Sequence, residues 1–346
     1  MKKIKTEIEP KPTVEEMSLN NTLRPLSLDE YIGQEELKKS LKIYIQAAKA
    51  RNEALDHLLF YGPPGLGKTT LAGIIANEMQ GKLRTTSAPV IEKAGDLASI
   101  LVGMQNNDVL FIDEIHRLPK NVEEMLYSAM EDKAVDIIVG KDGQAKSIRL
   151  SLANFTLIGA TTRAGMLSPP LRDRFGIIHK MEYYTNEELA KIVERTSSIF
   201  SYPINTNGAL AIAKRSRGTP RLANRLFKRV RDFAEVNKDK EITDETAQST
   251  LDFLKIDEFG LNDFDREILT TIIYKFNNQP VGIKTLAAAL GEDTGVIEDV
   301  NEPFLLKMGL LNKTPRGRVV TELGLKHLGV NPEDYIAEKK LVKQVV

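Results

Sequence analysis

The apolar residues in the first half of the chain form short continuous runs, separated by longer segments with helical spacing. Three runs have the length of strands: Leu58 to Tyr61, Val109 to Ile112 and Phe155 to Ala160. Continuous apolar strands that alternate with helices are typical of a parallel sheet covered on both faces. The pattern predicts an α/β domain over residues 20–184. A helix is indicated ahead of the first run by Leu37, Leu41, Ile45 and Ala48.

Between Val135 and Leu150 the pattern changes to two short apolar stretches that flank a polar turn containing Asp142-Gly143. Such a turn between apolar stretches is typical of a β-hairpin. Ile137, Ile138 and Val139 are consecutive, so at least one of them points away from the packed face of this hairpin. We expect that residue to be an apolar anchor if the hairpin tip binds a partner.

Strand patterns stop at Thr185. Thr185 and Glu188 fit a capping box, and helical patterns continue to about Leu254, so residues 185–256 are predicted to form a small helical domain. A third domain is predicted over residues 257–332. In it, Asn262 or Asp263 caps the first of three helices, and two short apolar runs follow as a ribbon, which together describe a winged helix.

The composition excludes several classes of protein. The 346 residues include no cysteine, which rules out disulfides and thiolate metal sites, and the four histidines are too widely spaced for a metal signature. No apolar run approaches the ~18 residues of a membrane span. We therefore expect a cytoplasmic protein. Residues 1–19 have little apolar periodicity and are predicted to be a flexible tail, and residues 333–346 are assigned to a C-terminal tail.

The net charge of the chain is zero, but its three predicted domains differ in charge. Residues 1–184 carry 24 acidic and 24 basic side chains, residues 185–256 carry 10 and 13, and residues 257–346 carry 14 and 11. Binding to nucleic acid cannot depend on a globally basic field with this balance, so any phosphate contact must come from a local cluster.

Residues 62–69, Gly-Pro-Pro-Gly-Leu-Gly-Lys-Thr, match a phosphate-binding loop between the strand Leu58–Tyr61 and a helix predicted from Thr70 to Met79. Backbone N–H groups of such a loop turn toward phosphates, the lysine reaches the β- and γ-phosphates, and the hydroxyl after it holds Mg²⁺. The predicted ATP ligands here are Gly65, Gly67, Lys68, Thr69 and Thr70.

Hydrolysis requires carboxylates beside the phosphates, and Asp113-Glu114 follows the strand Val109–Ile112. We expect Asp113, with Thr69, to hold Mg²⁺ and Glu114 to polarise the attacking water. Thr162, after the next strand, is expected beside the γ-phosphate. Arg172 and Arg174 lie in the following polar loop, and either is a candidate arginine finger for a neighbouring subunit.

The helical domain contains a basic segment over residues 214–231, with eight basic residues and no acidic one. Thr219, Pro220 and Arg221 fit the cap and first two positions of a helix. Most of these cations are expected on a solvated helix face. Arg221, at the start of the helix, is better placed to reach a nucleotide.

Together these motifs resemble the RuvB family, AAA+ motor ATPases that drive branch migration of Holliday junctions, over about residues 20–330. The resemblance implies a hexameric ring that hydrolyses ATP with Mg²⁺ and moves duplex DNA at four-way junctions. Seven segments carry it: Leu23-Arg24-Pro25, Tyr31-Ile32-Gly33-Gln34, residues 62–69, Phe111-Ile112-Asp113-Glu114-Ile115-His116, Gly159-Ala160-Thr161-Thr162-Arg163, Leu171-Arg172-Asp173-Arg174-Phe175 and Arg217-Gly218-Thr219-Pro220-Arg221.

The same resemblance implies roles for single residues. The 135–150 hairpin corresponds to the element that binds the junction-binding partner RuvA. Residues 313–318 correspond to the family's DNA-binding wing, with Lys313, Arg316 and Arg318 as contacts, although Lys313 stands where the family has arginine. The adenine pocket corresponds to Leu23, Arg24 and Ile32, and the lid contacts correspond to Tyr184 and Arg221. Thr162 corresponds to the family's sensor 1 residue, and Arg174 corresponds to its arginine finger.

Two other classes of AAA+ protein share the phosphate-binding loop. A protein-remodelling unfoldase is disfavoured, because residues 82–107 contain no aromatic side chain to grip a polypeptide. A clamp-loader or initiator-like switch would have the same nucleotide chemistry, and only the hairpin and the wing argue against it. The fold alone does not decide between these functions.

Overall fold

The apolar runs form the interior of a five-stranded parallel sheet in a computed structural model that describes residues 23–139 and 146–331. The predicted tails and the Asp142-Gly143 turn lie outside these residues. The strands of this sheet are β1 Leu58–Tyr61, β2 Leu83–Ser87, β3 Val109–Asp113, β6 Thr156–Thr161 and β7 Ile177–Lys180, in the order β2-β3-β6-β1-β7. Two further strands, β4 Ala134–Val139 and β5 Lys146–Ser151, form a separate hairpin.

Helices cover this sheet, as the α/β prediction requires. The helix after the phosphate-binding loop begins at Lys68, two residues earlier than predicted, so Lys68 and Thr69 belong to its first turn. The helices up to the end of β7 are α1 Glu35–Arg51, α2 Lys68–Glu78, α3 Ala94–Val102, α4 Lys120–Glu131 and the one-turn α5 Pro169–Arg172.

Gly159 in the middle of β6 lets the segment after β3 pack closely on the sheet. A Cβ at this position would lie 2.9 Å from the Ile115 side chain and 3.1 Å from Phe175. Ile115 begins a short 3-10 helix, Ile115–Arg117, and is buried in the same core as Leu110, Leu157 and Phe175. The glycine therefore fixes the turn that carries Glu114 and His116 against the strand that ends at Thr161.

The predicted hairpin is confirmed. Strands β4 Ala134–Val139 and β5 Lys146–Ser151 pair in antiparallel register. Val135, opposite Leu150, is fully buried, whereas the next pair on that face, Ile137 and Ile148, is more accessible and Ile148 is 45% exposed. One face of the hairpin thus passes from the core toward solvent.

The described residues group into two units, one of residues 23–203 and 218–225 and the other of residues 204–217 and 226–331. Helix α6 begins with the predicted capping box, in which Thr185 and Glu188 each bind the other's backbone N–H. The helices that follow β7 are α6 Asn186–Ile199, α7 Thr206–Lys214, α8 Pro220–Asn237 and α9 Asp244–Phe253.

The last segment is the predicted winged helix, with its own apolar core. Asn262, rather than Asp263, caps its first helix. Two stretches of π-helix, Thr271–Lys275 and Ile297–Asn301, extend its first and third helices. The elements are α10 Asp263–Thr270, α11 Ile283–Leu290, α12 Thr294–Val296, α13 Glu302–Lys307, β8 Leu311–Thr314, β9 Gly317–Val320 and α14 Glu322–His327.

Candidate functional site

The phosphate-binding loop connects β1 to α2, and its lysine is folded onto the loop itself. The Lys68 ammonium group donates hydrogen bonds to the carbonyl oxygens of Gly62 and Pro63, both at 2.7 Å. Burial lowers the pKa of Lys68 to about 8, although the charges of Asp113 and Glu114 act in the opposite direction. The three charged groups therefore share one site at the carboxyl edge of the sheet.

Asp113 ends β3, and Glu114 turns the chain away from it. Glu114 adopts a left-handed backbone conformation with φ of 51°, and its N–H donates to the Asp113 carboxylate at 3.0 Å. This conformation is uncommon for residues other than glycine and is found at functional sites. Both carboxylates are only partly buried. They thus follow a fully buried strand at the edge where ligands of parallel sheets bind.

The donor groups near the loop suit Mg²⁺ bound together with phosphates. Thr69 provides a hydroxyl in the first turn of α2, and Asp113 provides a carboxylate. Within residues 23–139 and 146–331, no group of three or more His, Asp or Glu side chains could hold a metal. Mg²⁺ commonly uses one or two protein carboxylates and completes its shell with water and phosphate oxygens, so the residues present fit this ion.

His116, which the sequence reasoning did not assign to the site, lies between Glu114 and the end of β6. Its Nε2 is 3.4 Å from the Glu114 carboxylate, and its Nδ1 is 2.8 Å from the Thr161 hydroxyl. The imidazole is 4% exposed and Thr161 is fully buried. Thr162, the predicted γ-phosphate residue, follows directly and is partly buried.

A pair of buried tyrosines contacts the backbone of the phosphate-binding loop. The hydroxyls of Tyr31 and Tyr184 are 2.7 Å apart, and each lies 3.3 Å from the Leu66 carbonyl oxygen. The segment of Tyr31 is also joined to the segment of Tyr184 by Gln34. Its side-chain amide donates to the Glu182 carbonyl oxygen and accepts from the Glu182 N–H. Burial raises the pKa of both tyrosines, so their hydroxyls stay protonated as donors. Tyr184 was predicted as a nucleotide contact of the lid, and no role was predicted for Tyr31.

The three residues predicted for the adenine pocket differ in exposure. Leu23 is buried, Ile32 is partly buried, and the side chain of Arg24 is exposed. Arg195 of α6 donates a 2.6 Å hydrogen bond to the Leu23 carbonyl oxygen. This contact fixes the start of the described chain near the helix that follows β7, with Ile32 close behind Tyr31 in sequence.

Arg221 lies at the start of α8, against the phosphate-binding loop. Gly65 has φ of 81°, and a Cβ there would come within 3.1 Å of Arg221 Cβ. The Arg221 N–H also points at the Gly65 carbonyl oxygen at 3.4 Å. The Arg221 side chain is exposed. Glycine at position 65 thus allows the helix carrying Arg221 to approach the loop.

The two candidate arginine fingers have different surroundings. Arg172 is exposed, whereas Arg174 is fixed to its own chain. The Arg174 guanidinium lies 4.4 Å from the centre of the Tyr127 ring, pairs with Glu131 at 3.2 Å and donates to the Pro170 carbonyl oxygen at 2.7 Å. Its Nε is buried and has no acceptor among the described residues.

The wing residues also divide into two kinds. Arg316, in the turn between β8 and β9, is exposed. Arg318 is only 6% exposed, and its guanidinium pairs with Glu302 at 2.8 Å and with Glu298 at 2.9 Å. Lys313 is half exposed and also pairs with Glu302, at 2.8 Å. The structure therefore does not bring Arg318 to the surface with Arg316, since two carboxylates hold it against the helix behind the ribbon.

The chain matches three family models in sequence order. These are the P-loop domain of the Holliday junction DNA helicase RuvB over residues 23–181, the RuvB AAA lid domain over residues 184–257 and the RuvB C-terminal winged helix domain over residues 258–329.

Solved structures with the same fold include the RuvB Holliday junction branch migration motor of Thermotoga maritima. It is 52% identical, with a TM-score of 0.82 over 90% of this chain and 99% of that one. A lysine-to-arginine variant of the Thermotoga protein gives 52% identity and a TM-score of 0.82 over 89% and 98%. An alanine-to-serine variant gives 52% and 0.83 over 89% and 99%.

Proposed function

The chain belongs to the RuvB family, and from that premise we propose which of its residues bind and hydrolyse ATP, grip DNA and contact partners. As a member it is an AAA+ P-loop ATP hydrolase of the class that drives Holliday junction branch migration. Membership does not favour the unfoldase or clamp-loader alternatives. We retain the division into an ATPase domain of residues 20–184, a lid of residues 185–256 and a winged helix of residues 257–332.

The observation that carries this proposal is the convergence of one ammonium group and two carboxylates beside the phosphate-binding loop. Lys68 leaves the Gly62 and Pro63 carbonyls to bind the β- and γ-phosphates. Glu114 takes the proton from the attacking water, and Thr162 orients the γ-phosphate. Thr69 and Asp113 would hold Mg²⁺, which neutralises phosphate charge when bound.

The remaining nucleotide ligands are backbone N–H groups of the phosphate-binding loop and side chains around the adenine and the lid. Gly65, Gly67 and Thr70 present backbone N–H groups to the phosphates at the N-terminus of α2. Leu23, Arg24 and Ile32 enclose the adenine, and Tyr184 and Arg221 are the contacts of the lid with the nucleotide. Support comes from the Tyr184 hydroxyl and the Arg221 backbone, each of which contacts the loop directly.

Arg174 serves as the arginine finger of a neighbouring subunit, in a ring for which the family precedent is a hexamer. Its present partners, Glu131 and the Tyr127 ring, hold the guanidinium in a defined place before the neighbour binds. A preorganised cation loses less side-chain entropy when it reaches the transition state. Arg172 lacks comparable support, which favours Arg174.

The 135–150 hairpin is the contact for the junction-binding partner, RuvA in this family. Support comes from the exposed Ile148 opposite Ile137, because an accessible apolar pair on a strand face is the usual anchor of a protein interface. Arg149 beside it pairs with Asp132 and Asp136.

The wing is the contact for duplex DNA. Arg316 and Lys313 are its accessible cations and bind phosphates directly. Arg318 reaches a phosphate only if the DNA displaces Glu298, the more exposed of its two carboxylates.

ATP turnover by the full chain, measured without DNA, with duplex DNA and with a four-way junction, tests the function. We expect both DNAs to raise the rate. Glu114→Gln should bind ATP but turn it over about 10²–10⁴-fold more slowly, whereas Lys68→Ala should lose nucleotide affinity. Parental turnover in Glu114→Gln would refute the catalytic assignment. Stimulation by unfolded polypeptide but not by DNA would indicate a protein-remodelling enzyme.

A further inference from the structure

We infer that His116 is a positioning residue that holds the Glu114 carboxylate and joins it to the end of strand β6. The inference rests on the proposed function, because it requires Glu114 to be the base of ATP hydrolysis. Two contacts carry it: Nε2 lies 3.4 Å from Glu114 Oε2, and Nδ1 lies 2.8 Å from Thr161 Oγ1. The imidazole connects a turn after β3 to a strand 45 residues further along the chain.

The partners of the imidazole set the direction of this connection. The backbone N–H of Arg163 donates to Thr161 Oγ1 at 2.9 Å, which leaves the hydroxyl its own proton and one lone pair for His116 Nδ1. A ring nitrogen beside a carboxylate is favourable only as an N–H donor, so we assign a proton to Nε2. An N–H group therefore faces the Glu114 carboxylate. The tautomer follows from this network of partners.

The surroundings hold the imidazole and Thr161 in place but leave the Glu114 carboxylate free to move. Thr161 is fully buried and the imidazole is 4% exposed, so water does not compete for Nδ1. Ile115, between Glu114 and His116, is packed against Gly159 of β6, the strand that ends at Thr161. The Glu114 side chain is 33% exposed, and 3.4 Å is longer than an ordinary hydrogen bond. The carboxylate can thus leave or tighten this contact while the imidazole stays in place.

This arrangement links the two groups that act on the γ-phosphate. Thr162 follows Thr161 at the end of β6, and Glu114 follows Asp113 at the end of β3. A shift of the β6 end toward phosphate would move the Thr161 hydroxyl and, through His116, the carboxylate that activates water. The imidazole therefore couples the position of the β6 end to the position of Glu114 after β3.

Four variants at position 116 separate this role from simple packing. His116→Leu fills the space without polar atoms and should lower kcat for ATP at least about 10-fold, with KM changed less than about two-fold. His116→Ala should do the same. His116→Gln, whose amide nitrogen reaches the Nε2 position, should recover most of the lost rate. His116→Asn reaches only the Nδ1 position and should remain as slow as His116→Leu.

Folding is followed by thermal unfolding and by affinity for a non-hydrolysed ATP analogue, which should match the parent in His116→Leu and His116→Gln. Parental kcat in His116→Leu would overturn the inference and leave a packing role. If His116→Leu is slow and His116→Gln is equally slow, the contact with Glu114 does not carry the effect, and the inference is likewise overturned.

Two further variants test the path. Thr161→Val removes the hydroxyl at nearly constant volume and should lower kcat in the same direction as His116→Leu. In a Glu114→Gln background, His116→Leu should lower the residual single-turnover rate by less than about two-fold, because the two residues act as one unit. Independent, multiplying losses would contradict the inference.

The same assays distinguish this inference from the proposed function. If Glu114→Gln turns over ATP at the parental rate, Glu114 is not the base and the proposed function fails first. If Glu114→Gln is inactive and His116→Leu is fully active, only the inference about His116 fails.

Discussion

The ammonium group of Lys68 lies in a partly desolvated position where it holds its proton weakly. Burial lowers its pKa to about 8, against the attraction of Asp113 and Glu114. Below this pH the group is charged and available to phosphates, and above it an increasing fraction is neutral. Bound polyphosphate stabilises the charged form, so nucleotide binding at pH 9 must take up a proton.

We therefore expect the affinity for a non-hydrolysed ATP analogue to fall by about two-fold from pH 7 to 8, because roughly half of the Lys68 side chains have lost their proton at pH 8. It should then fall by up to about 10-fold per pH unit, since phosphate groups are already fully ionised in this range. The measurement is a set of equilibrium titrations between pH 7 and 9.5. Lys68→Arg is the matched control, because a guanidinium stays charged throughout. A parental affinity that does not change up to pH 9.5 would mean that Lys68 keeps its proton.

At the scale of elements, the ribbon of the winged helix contains two arginines in opposite surroundings. Arg316 is exposed in the turn, while Arg318 is buried between Glu298 and Glu302. Removing Arg318 leaves the Glu302 carboxylate, whose side chain is 4% exposed, with Lys313 as its remaining cation in this part of the described winged helix. A buried carboxylate that loses a partner is costly.

Arg316→Ala should weaken duplex binding for every sequence and lower the salt-dependence slope by ~0.9 per lost phosphate contact, with unchanged thermal stability. Arg318→Ala should instead lower the free energy of unfolding by about 1–3 kcal/mol. Binding titrations at several salt concentrations and chemical denaturation measure these two effects. If Arg318→Ala keeps full stability and changes the slope while Arg316→Ala does not, the roles are reversed.

The central elements of the sheet could be predicted from sequence, and its edges could not. Strands β1, β3 and β6 are buried on both faces and appear as continuous apolar runs. The edge strands β2 and β7 are half exposed and mix polar with apolar residues, so their sequences resemble loops. The hairpin was predictable because its pairing is local and its turn chemistry is characteristic.

The candidate site divides in the same way. The loop at residues 62–69 and the pair Asp113-Glu114 are contiguous motifs, so their chemistry can be predicted from the sequence. Contacts between distant residues cannot be predicted in this way: Tyr31 meets Tyr184, and His116 meets Thr161, only after the sheet has formed. From sequence, Arg318 is predicted to be a wing cation like Arg316. Its burial follows only from the fold, in which the π-helical stretch Ile297–Asn301 and α13 bring Glu298 and Glu302 against the ribbon.

For the molecule as a whole, the net charge does not attract DNA over long range. The chain has a net charge of zero, and residues 257–346 carry more acidic than basic side chains. Long-range attraction to a polyanion is therefore weak, and the grip depends on a few local cations. With the wing proposed as the DNA contact of each subunit, several subunits bound to one duplex would hold it more tightly than a single subunit, which agrees with the proposed ring.

In such a ring each ATP site combines the loop of one subunit with Arg174 of its neighbour. Arg174→Ala subunits keep an intact loop, and Lys68→Ala subunits keep an intact finger, so either alone should be inactive. Random mixing in equal amounts should restore ATP turnover at about a quarter of the sites, where a loop-competent subunit lies beside a finger-competent one. Turnover measured across a series of mixing ratios should peak near equal amounts. The control replaces the Lys68→Ala partner with a subunit that carries both substitutions, which supplies neither group and should restore nothing. If mixed rings form and no ratio restores turnover, Arg174 does not act across the boundary, and Arg172 should be tested by the same scheme.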